Sequence, residues 1–325
     1  MFRLRPTVRR AAFVLVLFVL LGTAPAYGQT TTDSPPPVIA EGVTVASVAV
    51  GGMTADEATT AVRAFFARPF TFTLHGHTWT SGPARVGASV DYPAVVAAAL
   101  AAAPSTALPL PVTVYGPTLR AYVARKATLY RRAAVNSRVF LRYLRPFVTR
   151  SKNGYAMSQL DARLLIRSLL AAHERGPTEL PSHVLVPKIT RENFGPVIVI
   201  RRGSHRLYVY KVMLYWRTFG VAVGRPEFPT PLGHFTIVTK QRDPWWYPPD
   251  SSWAAGASPI PPGPGNPLGT RWMGLSAPGV GIHGTPDAAS IGYSASHGCI
   301  RMRIPDAEWL FDRVRIGTHV FIVSA

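Results

Sequence analysis

Cysteine and histidine in register are the residues in this chain whose types and spacing could do chemistry. The single cysteine, Cys299, lies in Ser296-His297-Gly298-Cys299-Ile300-Arg301-Met302, sixteen residues after His283 in Ile282-His283-Gly284-Thr285. A cysteine nucleophile needs thiolate character, a base or cation beside it, and donors for the oxyanion that forms on attack. The segment 283–301 can offer all three. His283 ends the apolar run Val280-Gly281-Ile282 and can face Cys299 as general base if the two segments lie side by side. Gly298 allows a tight turn that aims the N–H groups of Gly298 and Cys299 at a bound carbonyl. Arg301, two residues past the thiol, could bind a substrate carboxylate or stabilise the thiolate. His297 reads as loop support through hydrogen bonds rather than as a proton carrier. A zinc site made from His283, His297 and Cys299 would lack a fourth ligand, so no metal is expected there.

These residues must be held by a folded, exported protein. Arg3, Arg5, Arg9 and Arg10 precede an apolar stretch from Ala11 to Leu21, and Ala24-Pro25-Ala26-Tyr27-Gly28 has small residues at cleavage-like spacing. The apolar run is shorter than the roughly 20 residues a spanning helix needs. Residues 1–28 therefore read as a signal peptide, with an uncleaved membrane anchor as the alternative. Outside the cytosol a structural cysteine is normally paired, and a single one cannot pair within the chain.

At 325 residues the chain has room for two or three domains, and 47% hydrophobic content excludes a disordered protein. The net charge of +19 comes mostly from arginine, since Lys126, Lys152, Lys188, Lys211 and Lys240 are the only lysines. Either the surface is simply basic, or it attracts an anionic envelope polymer. The basic residues are dispersed and no nucleic-acid-binding motif accompanies them, so no nucleic-acid partner is expected.

The elements follow from pattern. Residues 29–38 form a polar, proline-ended linker. Val43–Val50 alternates like a half-buried strand, and Thr54 with Glu57 has capping-box spacing for a helix to about Ala67. Phe70–Trp79 predicts a strand or hairpin about His75-Gly76-His77, and Asp91 a cap for a helix to about Ala103. A helix-then-strand plan recurs: Val90–Leu100 then Pro109–Val114, and Leu160–Leu170 then Pro181–Val186. This divides the region into modules at 39–116 and 117–190, the second partial. From about Pro196 short strands are expected at 197–200, 206–210, 216–223 and 234–239, with a rigid Pro229–Gly233 turn. Asp243–Asn266, dense in proline and holding Trp245, Trp246 and Trp253, reads as a lid or groove wall.

Two resemblances add to this. Gly42-Val43-x-Val45 and Val50-Gly51-Gly52-Met53-Thr54-x-Asp56-Glu57-Ala58 resemble the peptidoglycan-binding type 4 domain; the second module resembles only its C-terminal half. Ile282–Thr285, Ser296–Met302 and Thr230-Pro231-x-Gly233-x-Phe235 resemble the L,D-transpeptidase catalytic domain of the YkuD type, a likeness that covers about Pro196 to Val323 and places the catalytic domain at 195–325. The combined fold class is multidomain α+β: two small α+β modules and a β-rich, mixed-sheet, sandwich-like catalytic domain. The resemblance implies a ping-pong acyl transfer without cofactors. Cys299 takes the acyl group of a peptidoglycan stem tetrapeptide and a neighbouring stem amine accepts it, giving a 3→3 cross-link in cell-wall biogenesis. It also implies that the carbonyl of Gly284 orients His283 and that donors at Gly298 and Cys299 hold the oxyanion. Transfer to water, attachment of a protein to the wall, and a wall-binding protein with a spent site remain alternatives.

Overall fold

A computed structural model of the protein describes residues 36–325. The expected signal segment and most of the linker lie outside the described residues. Among those described, no helix is long and apolar enough to cross a membrane. The described chain divides into two compact units, 36–62 with 92–109, and 63–91 with 110–325.

In the first unit the expected strand 43–50 is two short strands, Thr44–Val45 and Val48–Ala49, paired antiparallel. Ala46 and Ser47 take φ of 44° and 70°, a tight turn that alternation alone does not reveal. Thr44–Val45 also pairs in parallel with Ala107–Leu108. Helix Ala55–Ala67 begins here with the capping box as expected. The Thr54 backbone N–H donates to Glu57 Oε2 at 2.9 Å, the Thr54 hydroxyl to the same oxygen at 2.8 Å.

The second unit opens with the hairpin Phe70–Leu74 and His77–Ser81, as the turn glycine predicts. Strand Pro177–Glu179 adds in parallel to Phe70–Leu74, and helices Gly116–Leu129 and Gln159–Ala172 follow the chain between them.

The rest of this unit is built on eight strands: β1 (Pro196–Arg201), β2 (Arg206–Lys211), β3 (Leu214–Gly220), β4 (Gly233–Arg242), β5 (Arg271–Leu275), β6 (Gly281–Thr285), β7 (Ile300–Arg303) and β8 (His319–Val323). They form one mixed sheet in the order β3-β2-β1-β8-β4-β5-β6-β7. The β1–β8 and β6–β7 pairs are parallel and the others antiparallel. The unbroken apolar run Val197–Ile200 needs both faces of β1 covered. Ile198 and Ile200 enter the main core, whereas Val197 and Val199 pack with Phe321, Val139 and Val148 on the other face.

Strand β4 joins the two halves of the sheet. Residues 233–236 pair with β8, and from Ile237 onward the strand pairs with β5 across a register irregularity at Ile237–Thr239. The irregularity turns Val238 out to 44% exposure while Ile237 is fully buried. One core therefore gathers residues of both halves and Ala307, Leu310 and Phe311 of helix Ile304–Arg313. Lys240 on β4 ties that helix in. Its ammonium donates to the carbonyls of Phe311 and Val314, at 2.7 and 2.6 Å, where the helix dipole is negative.

Ile237→Ala should lower unfolding free energy by about 2–5 kcal/mol in urea titrations, because it opens a cavity at the junction. Val238→Ala, one residue away, should cost less than about 1 kcal/mol. Equal effects at the two positions would contradict this account of the junction.

Candidate active site

The site lies where β6 and β7 run in parallel. Their register pairs Ile282 with Ile300, His283 with Arg301 and Gly284 with Met302. Side chains alternate between the faces of a strand. Ile282, Ile300 and Met302 enter the core and are fully buried. The opposite face consequently carries His283, Arg301 and, two residues before Arg301, Cys299. His283, Cys299 and Arg301 all line one cleft of about 770 Å³.

His283 is buried, and its Nδ1 lies 2.6 Å from the carbonyl oxygen of Gly284. A carbonyl only accepts, so the imidazole proton sits on Nδ1 and Nε2 keeps its lone pair. Burial is the main reason its pKa falls to about 4; the Gly284 bond opposes the fall and the Arg301 charge adds to it. Beside the ring, Trp272 is the β5 partner of His283, with ring centroids 5.8 Å apart. Gly281 makes room for it: a Cβ there would come within 2.3 Å of the Trp272 ring.

Cys299 is half-buried, and its thiol donates to the Gly279 carbonyl at 3.5 Å. Burial raises the thiol pKa, while a hydrogen bond from the Gly281 backbone and the Arg301 charge pull it down. At rest the pair is thus a neutral thiol and a neutral imidazole.

The loop before Cys299 is locked from several sides. Gly298 has φ of 108°, a conformation that L side chains rarely adopt. The Ser296 hydroxyl donates to the Cys299 carbonyl at 2.6 Å and accepts from the Gly298 N–H at 3.2 Å. That bond occupies the donor the sequence assigned to an oxyanion. The buried Thr230 hydroxyl donates to the Gly298 carbonyl at 2.9 Å and accepts from the Gly224 N–H at 2.8 Å. His297 stacks on Trp253 with centroids 3.9 Å apart and planes 7° apart, and meets Phe228 edge-on at 5.3 Å. Its ring supports the loop through stacking, where the sequence suggested hydrogen bonds.

Arg301 has a place between strand and loop. Its backbone exchanges hydrogen bonds of 2.9 and 3.0 Å with Ala222, and its guanidinium lies 3.7 Å from a carboxylate oxygen of Asp287. The sequence did not single out Asp287, Ser296 or the buried hydroxyl of Thr230. Ser296 and Thr230 stand inside quoted motifs, which was their one available signal. The Asp243–Asn266 segment forms cleft wall as expected, contributing Trp245, Trp246, Tyr247 and Trp253. Among the described residues no group of three His, Cys, Asp or Glu side chains could hold a metal ion.

Residues 195–322 match the YkuD family, the L,D-transpeptidase catalytic domain. YqjB of Bacillus subtilis (strain 168), which carries an L,D-transpeptidase name, is 33% identical over 134 residues, 40% of this chain and 72% of that protein. The similarly named YkuD of Bacillus licheniformis is 31% identical over 166 residues, 50% of this chain and 88% of that protein. A solved catalytic domain of the Enterococcus faecium L,D-transpeptidase aligns over 39% of this chain and 95% of its own, with 26% identity and a TM-score of 0.32, too low to bear on the fold. The family match, together with about a third of positions shared along most of each named relative, establishes that this chain belongs to the L,D-transpeptidase family.

Proposed function

We propose that the protein is an exported L,D-transpeptidase that uses Cys299 to form a thioester with peptidoglycan stem tetrapeptides and passes the acyl group to a neighbouring stem amine. The observation that carries the reading is the shared face of β6 and β7, with Cys299, His283 and Arg301 all lining one cleft. Family membership supports an acyl-transfer activity on wall peptides and hence work outside the cytoplasmic membrane. Residues 195–325 act as the catalytic domain, and the modules at 39–116 and 117–190 hold the polymer.

In the first half-reaction the Cys299 sulfur attacks the carbonyl carbon of the third stem residue as its proton moves to Nε2 of His283. The bond to the terminal D-alanine then breaks, and the imidazolium returns the proton to the departing amine. Charge develops on the substrate oxygen between these steps. Because Ser296 already engages the Gly298 N–H, the Cys299 N–H is the oxyanion donor of this reading, and Gly298 serves by shaping the turn. In the second half-reaction an amine attacks the thioester carbonyl, loses its proton to His283, and the thiol is regenerated. Arg301 lowers the thiol pKa and stands ready for a substrate carboxylate.

Intact-mass measurement after exposure to a carbapenem or a donor tetrapeptide should give one adduct on the wild type and none on Cys299→Ser. An adduct elsewhere, or none on the wild type, would remove the thiol from the mechanism. His283→Ala should slow adduct formation by about 10²–10⁴. With a donor and an amine-bearing stem together, dimeric products support cross-linking; tripeptide alone would assign the enzyme to hydrolysis.

The depressed pKa of His283 sets a pH profile. Nε2 stays unprotonated until pH nears about 4, so the adduct rate should hold level from about pH 7 to about pH 5.5 and fall only below that. A decline centred near the ordinary histidine value of about 6.5 would contradict the buried, neutral base.

A further inference from the structure

Within the cleft wall two large rings remain open to solvent. Trp245 is 49% exposed and Tyr247 67%, although both line the cleft that holds Cys299. Their rings lie 6.2 Å apart, inclined by only 22°. Trp246, between them in sequence, is less exposed and anchors the segment. Its backbone exchanges two 2.9 Å hydrogen bonds with Ile260, and its ring meets Trp253 at 6.4 Å. The buried side-chain amide of Asn266 donates to the carbonyls of Pro244, Ile260 and Pro261, at 2.8, 3.2 and 3.1 Å. The segment is thus braced with its two rings displayed, and their apolar faces lose water only when a ligand covers them.

We propose that Trp245 and Tyr247 form a stacking platform for pyranose rings of the wall glycan, so that the enzyme takes its donor with the sugar attached. This rests on the thioester reading above and names a binding site within the same cleft. A pyranose has an apolar C–H face and a rim of hydroxyls. The two ring faces suit the first, and the polar side chains of Gln241 and Ser251, which line the same cleft, suit the second. Both rings line the same cleft of about 770 Å³ as Cys299, so one donor can meet the platform and the thiol together.

The test compares thioester formation from a disaccharide-tetrapeptide with that from the same tetrapeptide lacking sugar. The wild type should prefer the sugar-bearing donor in kcat/KM by about tenfold, the scale of one or two ring contacts. In the Trp245→Ala/Tyr247→Ala pair the preference should shrink to within about twofold, and in Trp245→Phe/Tyr247→Phe, which keeps both rings, it should persist. Equal use of both donors by the wild type, an unchanged preference in the alanine pair, or its loss in the phenylalanine pair overturns the platform. A carbapenem carries no sugar and reports the thiol chemistry separately. Failure of wild type to form that adduct rejects the thioester reading itself, so the two failures are distinguishable.

Discussion

The parallel register between β6 and β7 is the constraint on which the rest depends. Ile282, Ile300 and Met302 are each fully buried in the main core, and side-chain alternation then leaves His283, Cys299 and Arg301 no face but the cleft. A one-residue slip of β7 would expose Ile300 and Met302 and turn the thiol inward, at about 1.5–3 kcal/mol for each apolar side chain lost from the core. The shared placement of these three side chains is therefore stabilised by packing on the far side of the strands. The same core includes helix Ile304–Arg313, which follows directly from β7 and is braced by Lys240.

Electrostatics then sets how the pair behaves. Burial acts on the two groups in opposite senses, lowering the pKa of His283 and raising that of Cys299, and both shifts favour the uncharged forms. Arg301 favours thiolate at Cys299 but disfavours imidazolium at His283. It therefore does not by itself create a standing ion pair. The arrangement keeps the thiol protonated and the imidazole neutral at neutral pH.

Much of this was legible in the sequence because it is local. The capping box at Thr54 and Glu57, the hairpin about Gly76 and the strand segments from Val197 onward are set by neighbours a few residues apart. The segment around Cys299 stood out through one cysteine, two histidines and a glycine in close order. What sequence could not supply is long-range. Thr230 reaches Gly298 across 68 residues, and neither residue's neighbourhood signals that bond. The stacking of His297 on Trp253 depends on where a proline-rich wall returns to the sheet. The Gly298 N–H has a competing partner in Ser296, which becomes visible only once the turn is closed. Alternation at 43–50 suggested one strand, but two left-handed residues at Ala46 and Ser47 fold it into a hairpin.

Nitrogen NMR of the His283 imidazole in the wild-type protein tests the central claim most directly. The account predicts at pH 7 a single tautomer, protonated on Nδ1 and bare on Nε2, that gains its second proton only as pH approaches about 4. Two protonated ring nitrogens at neutral pH, or a proton resident on Nε2, would contradict it.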